Sequence, residues 1–269
     1  MLTITILKTG NEGNCYIIKT DNPKFPHLKT SIMVDYGGKF IYDYDYSDIG
    51  CLCITHSHKD HIGGIKQLMY HVDGEIDVVV SKDELNTPNL QHTLGLRRGK
   101  KPLIHELEFK SDCDKSDPVC VGNFVIFATR AYHDTSEPVH YWITDGEKSV
   151  FVGCDSSYIN NETKLLLGES DAVLIEANYS ENVIETNLID GKPVEIIFDT
   201  GLKKRIIEDG HLSNRLVSEL IPLMKQTKII CFIHINEILN SFNTIKNEIQ
   251  QVKPMKICLE KNCPVMVKI

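Results

Sequence analysis

Three histidines and an aspartate fall within one heptapeptide, Thr55-His56-Ser57-His58-Lys59-Asp60-His61, and Ile62-Gly63-Gly64 follow at once. Imidazole and carboxylate together suit zinc, manganese or iron. His56 and His58 alternate by two, so an extended backbone points both the same way. Asp60 and His61 then turn into a helix and can face a second metal. The apolar run Ile49 to Ile54 just before reads as a buried strand, and Gly63 to about Val72 reads as a helix. The cluster therefore lies on a tight strand-to-helix loop, where neighbouring side chains can converge on one point.

Other residues of ligand type stand at the ends of later apolar runs. His133 follows the strand ending near Thr129, Asp155 ends Phe151 to Cys154, and His234 ends Cys231 to Ile233. Loops at strand ends on a rigid scaffold are common places for sites. A lone His or Asp at such a position is usually a cap or turn residue, but here all three share a chain with the heptapeptide.

The elements that must position these residues interleave along the chain. Residues 1–8, 14–20, 31–36 and 49–55 read as strands, with turns at residues 10–13 and 37–38. Residues 75–80 form a short strand, and 82–94 a helix split near Pro88. Residues 111–118 read as a loop. Strands follow at 119–128, 141–144, 149–153, 172–177 and 229–233, and helices at 161–167, 203–209, 213–226 and 238–251. No linker or low-complexity segment divides the chain, so one domain over 1–269 is expected.

Composition sets limits. The chain has 269 residues, 42% of them hydrophobic, enough for a sizeable core. No run approaches the length of a membrane-spanning helix. The N-terminus alternates like a strand and lacks the form of a signal peptide. Nine cysteines make no CxxC pair. Cys51, Cys53 and Cys231 sit in apolar runs as small hydrophobes, and the same core-packing role is expected of Cys154 beside Asp155. A reducing cytoplasm without structural disulfides is the expectation. The net charge of -8 argues against an extended, non-specific grip on a duplex, since phosphate contacts need a basic surface. Leu96 to Lys101 is the one dense basic run, read as a solvated turn or a substrate loop.

The run His56-x-His58-x-Asp60-His61 resembles the HxHxDH signature of the metallo-β-lactamase superfamily, which embraces lactamases, glyoxalase II, lactonases, ribonuclease Z and other nucleases. Four further pieces narrow the likeness to its YycJ/WalJ-like branch: Gly13-Asn14-Cys15-Tyr16, His133-Asp134 followed by Pro138, Glu176-Ala177-Asn178-Tyr179, and Gly210-His211-Leu212-Ser213-Asn214. The departures are Asn11-Glu12 in place of a serine pair, His140 in place of glycine, Gly153-Cys154-Asp155-Ser156 in place of GDTG, and His234-Ile235-Asn236-Glu237 at the last motif.

The resemblance implies an α/β, four-layer αββα sandwich, and a pair of divalent ions, zinc or manganese. One ion would be held by His56, His58 and His133, the other by Asp60, His61 and His234, with Asp155 bridging. Asp60 counts as catalytic as well as a ligand. The ion pair would activate a water for in-line attack on phosphorus. The analogy with ribonuclease Z makes His211 the donor of a proton to the leaving oxygen and Glu176 its orienting partner. A phosphodiester leaves as an alkoxide and needs that proton, which a histidine near neutral pKa is suited to give. The plainer alternative is that His211 caps the helix starting at Ser213. Asn14, Ser213 and Asn214 are counted as substrate contacts, the amides at the helix start being able to hold a phosphate oxygen.

The expected function is a metal-dependent phosphodiesterase acting on nucleic acid or a nucleotide. A cyclic mononucleotide is the smaller alternative substrate. A glyoxalase II-like or lactonase-like hydrolase would keep the metal ligands without needing His211 and Glu176, and a non-catalytic binding module would not need the full ligand set. No membrane partner is expected, and the oligomeric state, a homodimer included, is open.

Overall fold

The structure, a computed structural model, describes residues 1–39, 41–72, 76–95, 102–194, 210–249 and 254–269. In chain order the strands are β1 (Leu2–Lys8), β2 (Cys15–Thr20), β3 (Ser31–Val34), β4 (Ile49–Cys53), β5 (Asp77–Ser81), β6 (Ile104–Leu107), β7 (Val119–Val121), β8 (Phe124–Arg130), β9 (Val139–Thr144), β10 (Ser149–Gly153), β11 (Ala172–Glu176), β12 (Leu188–Ile189), β13 (Lys192–Pro193), β14 (Ile229–Ile233), β15 (Met255–Ile257) and β16 (Val265–Lys268). The helices are α1 (Lys59–Ile62), α2 (Ile65–His71), α3 (Lys82–Leu85), α4 (Pro88–Leu94), α5 (Asn161–Gly168), α6 (Glu181–Thr186), α7 (Asn214–Leu220) and α8 (Phe242–Glu248).

Two sheets of seven strands carry the fold, in the orders β16-β1-β2-β3-β4-β5-β6 and β15-β14-β11-β10-β9-β8-β7. Their inner faces share one apolar core, with Ile4, Ile18, Val34 and Cys53 on one side and Ile126, Tyr141, Val152 and Leu174 on the other. Each fully buried aliphatic side chain contributes about 1.5–3 kcal/mol. A second core lies between the first sheet and α1, α2 and α4, and a third between the second sheet and α5, α7 and α8. The result is the αββα sandwich expected from the sequence. Strand β11, paired in parallel with β10 and β14, is buried at all five residues, which is why Ala172 to Ile175 reads as a continuous apolar run.

Parallel pairing is what gathers the site. Strands β3, β4, β5 and β6 run in parallel, as do β10, β11, β14 and β15. The carboxyl ends of β4, β10, β11 and β14 therefore open at the edges where loops can carry ligands. Tyr141 on β9 ties the two sheets there, its hydroxyl donating to Ile54 O at 2.8 Å and to Val79 O at 3.1 Å. Val139 N donates to Thr55 O at 3.0 Å. Close backbone packing fixes the other side of the loop, since a Cβ at Gly37 would fall 1.6 Å from Asp60 O.

Several boundaries differ from the sequence expectation. The helix after the histidine cluster begins at Lys59, not Gly63, so Asp60 and His61 are helical, and Gly63-Gly64 separates α1 from α2. The run 119–128 is a hairpin, β7 and β8, turning at Gly122, whose φ of 58° suits glycine. The helix expected over 213–226 stops at Leu220, because Pro222 cannot donate to the preceding turn; a 3₁₀ turn, Ile221–Leu223, replaces it. The helix expected from Ile238 starts at Phe242, where Ser241 caps it through Thr244 N. Strands β6, β12, β13, β15 and β16 and helix α6 were not foreseen. The expected helix 203–209 and the basic run 96–101 lie outside the described residues, as do parts of the expected elements 75–80 and 238–251. Among the described residues no helix is long and apolar enough to cross a membrane, and all nine cysteines are free.

Candidate metal centre

Three of the residues at the strand ends adopt left-handed backbone conformations: Asp35 after β3 (φ 56°), Asp155 after β10 (φ 46°) and His234 after β14 (φ 49°). Asp and His tolerate this region better than most residues, and strain of this kind concentrates at functional sites. All three side chains turn into one buried cluster.

The structure brings together all seven residues assigned as ligands. His56, His58, His133 and Asp155 offer ligand atoms within 4.8 Å of one another, and so do Asp60, His61, Asp155 and His234. Asp155 belongs to both sets. Its Oδ2 lies 3.5 Å from His56 Nε2, 3.6 Å from His133 Nε2 and 3.3 Å from His61 Nε2, and its Oδ1 lies 2.5 Å from His234 Nδ1. His133 Nε2 approaches His58 Nδ1 at 3.1 Å, and His234 Nε2 approaches Asp60 Oδ2 at 3.4 Å.

The donor set fits divalent ions. His56 Nε2 and His234 Nε2 are buried without a hydrogen-bond partner, while Asp155 Oδ1 and His234 Nδ1 have only each other, in close ion-pair contact. Such orphans inside a protein each cost about 1–3 kcal/mol unless something completes them. Burial, reinforced by His61, pushes the His56 pKa well down, so its ring is neutral with a lone pair to give. Burial alone would raise the pKa values of Asp60 and Asp155. The neighbouring imidazoles win, His61 and His234 foremost, and hold both carboxylates ionised. Burial likewise opposes charge on His61 and His234, but the carboxylates around them, Asp155 first, raise their pKa values well above the ordinary value.

A surrounding layer orients the candidate ligands. His61 Nδ1 lies 2.7 Å from Asp35 Oδ2, and Asp35 in turn accepts from Thr55 N at 2.8 Å and Thr55 Oγ1 at 2.7 Å. His133 Nδ1 donates to Gly210 O at 2.9 Å, which aims Nε2 at the cluster. Asp134 Oδ1 lies 3.4 Å from His58 Nε2. Neither Asp35 nor Asp134 was assigned from the sequence. Asp35 carries the signal that singled out Asp155, an aspartate at the end of an apolar strand.

His211 and Glu176 form a pair at the edge of the same cluster. His211 Nδ1 donates to Glu176 Oε2 at 3.0 Å, and Glu176 Oε1 accepts from Ser156 N at 2.8 Å and Leu212 N at 3.0 Å. Burial opposes protonation of His211, but Glu176 and then Asp155 outweigh it and raise its pKa. Ser213, not His211, caps α7, accepting from Leu216 N at 3.2 Å. A cleft of about 210 Å³ is lined by Asn11, His58, Asp60, His133, Asp155, His211 and His234.

The three residues counted as substrate contacts are buried and turned into the protein. Asn14 Nδ2 lies 3.0 Å from His61 Nε2, while its Oδ1 accepts from Gly10 N and Tyr16 Oη, each at 3.0 Å. Ser213 Oγ donates to Glu181 at 2.9 Å, and Asn214 Nδ2 donates to Glu248 at 2.7 Å. Asn14 therefore braces the ligands, and Ser213 and Asn214 brace the start of α7. Cys154 packs as expected, buried with its sulfur 3.3 Å from Tyr16 Oη.

Comparison with known proteins agrees with the fold. The Beta-lactamase superfamily domain matches residues 43–235, well over half of the chain, and the chain belongs to that superfamily. Exodeoxyribonuclease WalJ of Streptococcus pneumoniae serotype 2 is 25% identical over 244 residues, covering 87% of this chain and 81% of that protein. Exodeoxyribonuclease YycJ of Bacillus anthracis is 22% identical over 222 residues, covering 79% and 74%. Among solved structures, the metallo-beta-lactamase fold protein YhfI from Bacillus subtilis superposes with a TM-score of 0.69 at 16% identity, covering 100% of both chains. The short form of human tRNase Z superposes with a TM-score of 0.68 at 14% identity, covering 99% of each. The metallo-β-lactamase fold expected from the sequence is thus the fold of this chain.

Proposed function

We propose that the protein is a dinuclear-metal-dependent phosphodiesterase that cleaves nucleic acid. The observation that carries this reading is the Glu176–His211 pair, held 3.0 Å apart and lining the same cleft as the two ligand sets. Relatives named exodeoxyribonuclease, matched over most of their length, support it.

His56, His58 and His133 would hold one ion and Asp60, His61 and His234 the other, with Asp155 shared; the donor set suits zinc or manganese. Bound divalent ions supply an activated water and neutralise charge on a phosphodiester. The remaining work falls to the protein. Asp35 and Gly210 O fix the rings of His61 and His133. Glu176 accepts the hydrogen bond from His211 Nδ1–H, so Nε2 is the nitrogen that would hand a proton to the departing alkoxide oxygen. The raised His211 pKa keeps that proton in place near neutral pH. A carbonyl substrate such as a thioester has less need of such an acid.

A substrate panel with Mn or Zn tests the reading: bis-p-nitrophenyl phosphate, single- and double-stranded DNA and RNA, cyclic mononucleotides, a β-lactam and S-lactoylglutathione. Phosphodiester cleavage with the last two essentially untouched is expected. Turnover of either carbonyl substrate with no phosphodiesterase activity would overturn it.

A further inference from the structure

The two loops that carry His133 and Asp155 also carry an aromatic feature that the chemistry above leaves unused. Tyr132 directly precedes His133, and Tyr158 lies on the loop that leaves Asp155. Their rings meet edge to face, with centroids 5.2 Å apart at 83°. Both are exposed, at 41% and 50%. A single exposed tyrosine is ordinary. Two in mutual contact, on the two loops that carry His133 and Asp155, are not a scattered pair.

The backbone holds them there. Ser156 Oγ accepts from Tyr132 N at 3.0 Å and donates to Tyr158 O at 2.6 Å, while Ser157 N donates to Tyr132 O at 2.8 Å. Ser156 N also donates to Glu176, so the same loop supports the proposed acid. Behind Tyr158 opens a cavity of about 360 Å³, lined by Ser157, Lys164, Leu212, Leu216 and Leu223 among others. Leu212 follows His211. The volume falls within the range of small-ligand sites, and Lys164 Nζ stands 5.7 Å from the Tyr158 ring.

We infer that Tyr132 and Tyr158 form a stacking subsite for an unpaired nucleobase next to the scissile phosphate of a single-stranded nucleic acid. The inference rests on the phosphodiesterase reading and deepens it. A base has a flat π-face and meets a tyrosine ring with little sequence preference, each stacked base being worth roughly a five- to hundredfold change in affinity. The net charge of -8 gives this added weight. A chain whose 29 Lys and Arg are outnumbered by 37 Asp and Glu has no overall positive field to hold a polyanion, so stacking adds grip that net charge does not supply. A base stacked in a duplex hides its faces, which selects single strands or frayed ends.

The test uses the full chain and single-stranded phosphorothioate oligonucleotides carrying 2-aminopurine at one end or the other, with binding read by fluorescence quenching. One of the two should be quenched. Tyr158→Ala and Tyr132→Ala should abolish the quench and weaken binding about five- to hundredfold, whereas Tyr158→Phe and Tyr132→Phe should bind like wild type, since the ring is what stacks. An abasic end should weaken wild-type binding by a similar factor and cost the Ala variants nothing more. Near-ultraviolet circular dichroism confirms that each variant is folded. Wild-type binding without a quench at either end, or Ala variants that bind and quench like wild type, would overturn the inference while leaving phosphodiester cleavage intact. Failure of wild type to cleave any phosphodiester is the separate result that removes the underlying reading.

Discussion

Asp155 bears more of the candidate site than any other described side chain, because it alone belongs to all three groups of converging ligand-type residues, the two proposed ligand sets and the group it forms with Glu176, His211 and His234. A carboxylate shared by two ions serves each, so Asp155→Ala should lower the occupancy of both. Elemental analysis of protein purified without chelator should find up to two transition-metal ions per wild-type chain and clearly fewer in the variant; full occupancy and activity in Asp155→Ala would refute the bridging role. Asp35 acts one layer out, 2.7 Å from His61 Nδ1. Carboxylates behind metal-bound histidines typically change affinity by about 10- to 100-fold. Asp35→Asn should therefore weaken metal binding by that factor in a competition titration with a chelator, and an unchanged affinity would show that Asp35 merely fills a buried turn.

At the scale of elements, strand β9 carries a penalty that the rest of the sheet must offset. His140 is fully buried there with neither ring nitrogen hydrogen-bonded, against Phe151 at 5.7 Å. Burial, partly countered by Glu176 and Asp155, pushes its pKa down to about 4. The native state keeps this ring neutral, whereas the unfolded chain protonates it near pH 6.5. Between these values the unfolded state binds more protons, so stability falls as pH drops from about 6.5 towards 4, by ~3 kcal/mol in all. Urea denaturation across that window should show a weaker pH dependence in His140→Leu than in wild type; identical slopes would mean that the ring finds a partner in solution. This is also an element the sequence conveyed only in part. The apolar run 141–144 announced the strand, while its first two residues, Val139 and His140, were hidden by the proline before them. The candidate site was more legible than the elements around it, because side chains of ligand type are marked by residue type. A histidine or aspartate at the end of an apolar run stands out, whereas β6, β15 and β16 are short, mixed runs that become strands only through their neighbours. Asn14, Ser213 and Asn214 show the converse limit. Their motifs pointed to the site, but whether a polar side chain faces substrate or protein depends on packing that no local pattern records.

Taken whole, the molecule sets a candidate metal centre in an acidic chain. The net charge of -8 gives the chain no overall attraction for a polyanion. Counterion release scales with the number of phosphates neutralised, at roughly 0.7 per contact on a single strand. The affinity for a single-stranded oligonucleotide should accordingly fall only shallowly with salt, with a log–log slope nearer -1 or -2 than the steep values of proteins that grip a duplex. A slope steeper than about -4 between 50 and 200 mM salt would show that a basic surface does the binding after all. The central claim, that two metal-ligand sets and a separate histidine acid act together on a phosphodiester, is tested most directly by the leaving-group dependence of His211→Ala. With metal content equal to wild type, the variant should lose roughly 10²–10⁴-fold in rate on a substrate whose leaving group is an alkoxide, and far less on bis-p-nitrophenyl phosphate, whose p-nitrophenolate departs without a proton. Loss of metal in the variant, or an equal loss on both substrates, would contradict the account.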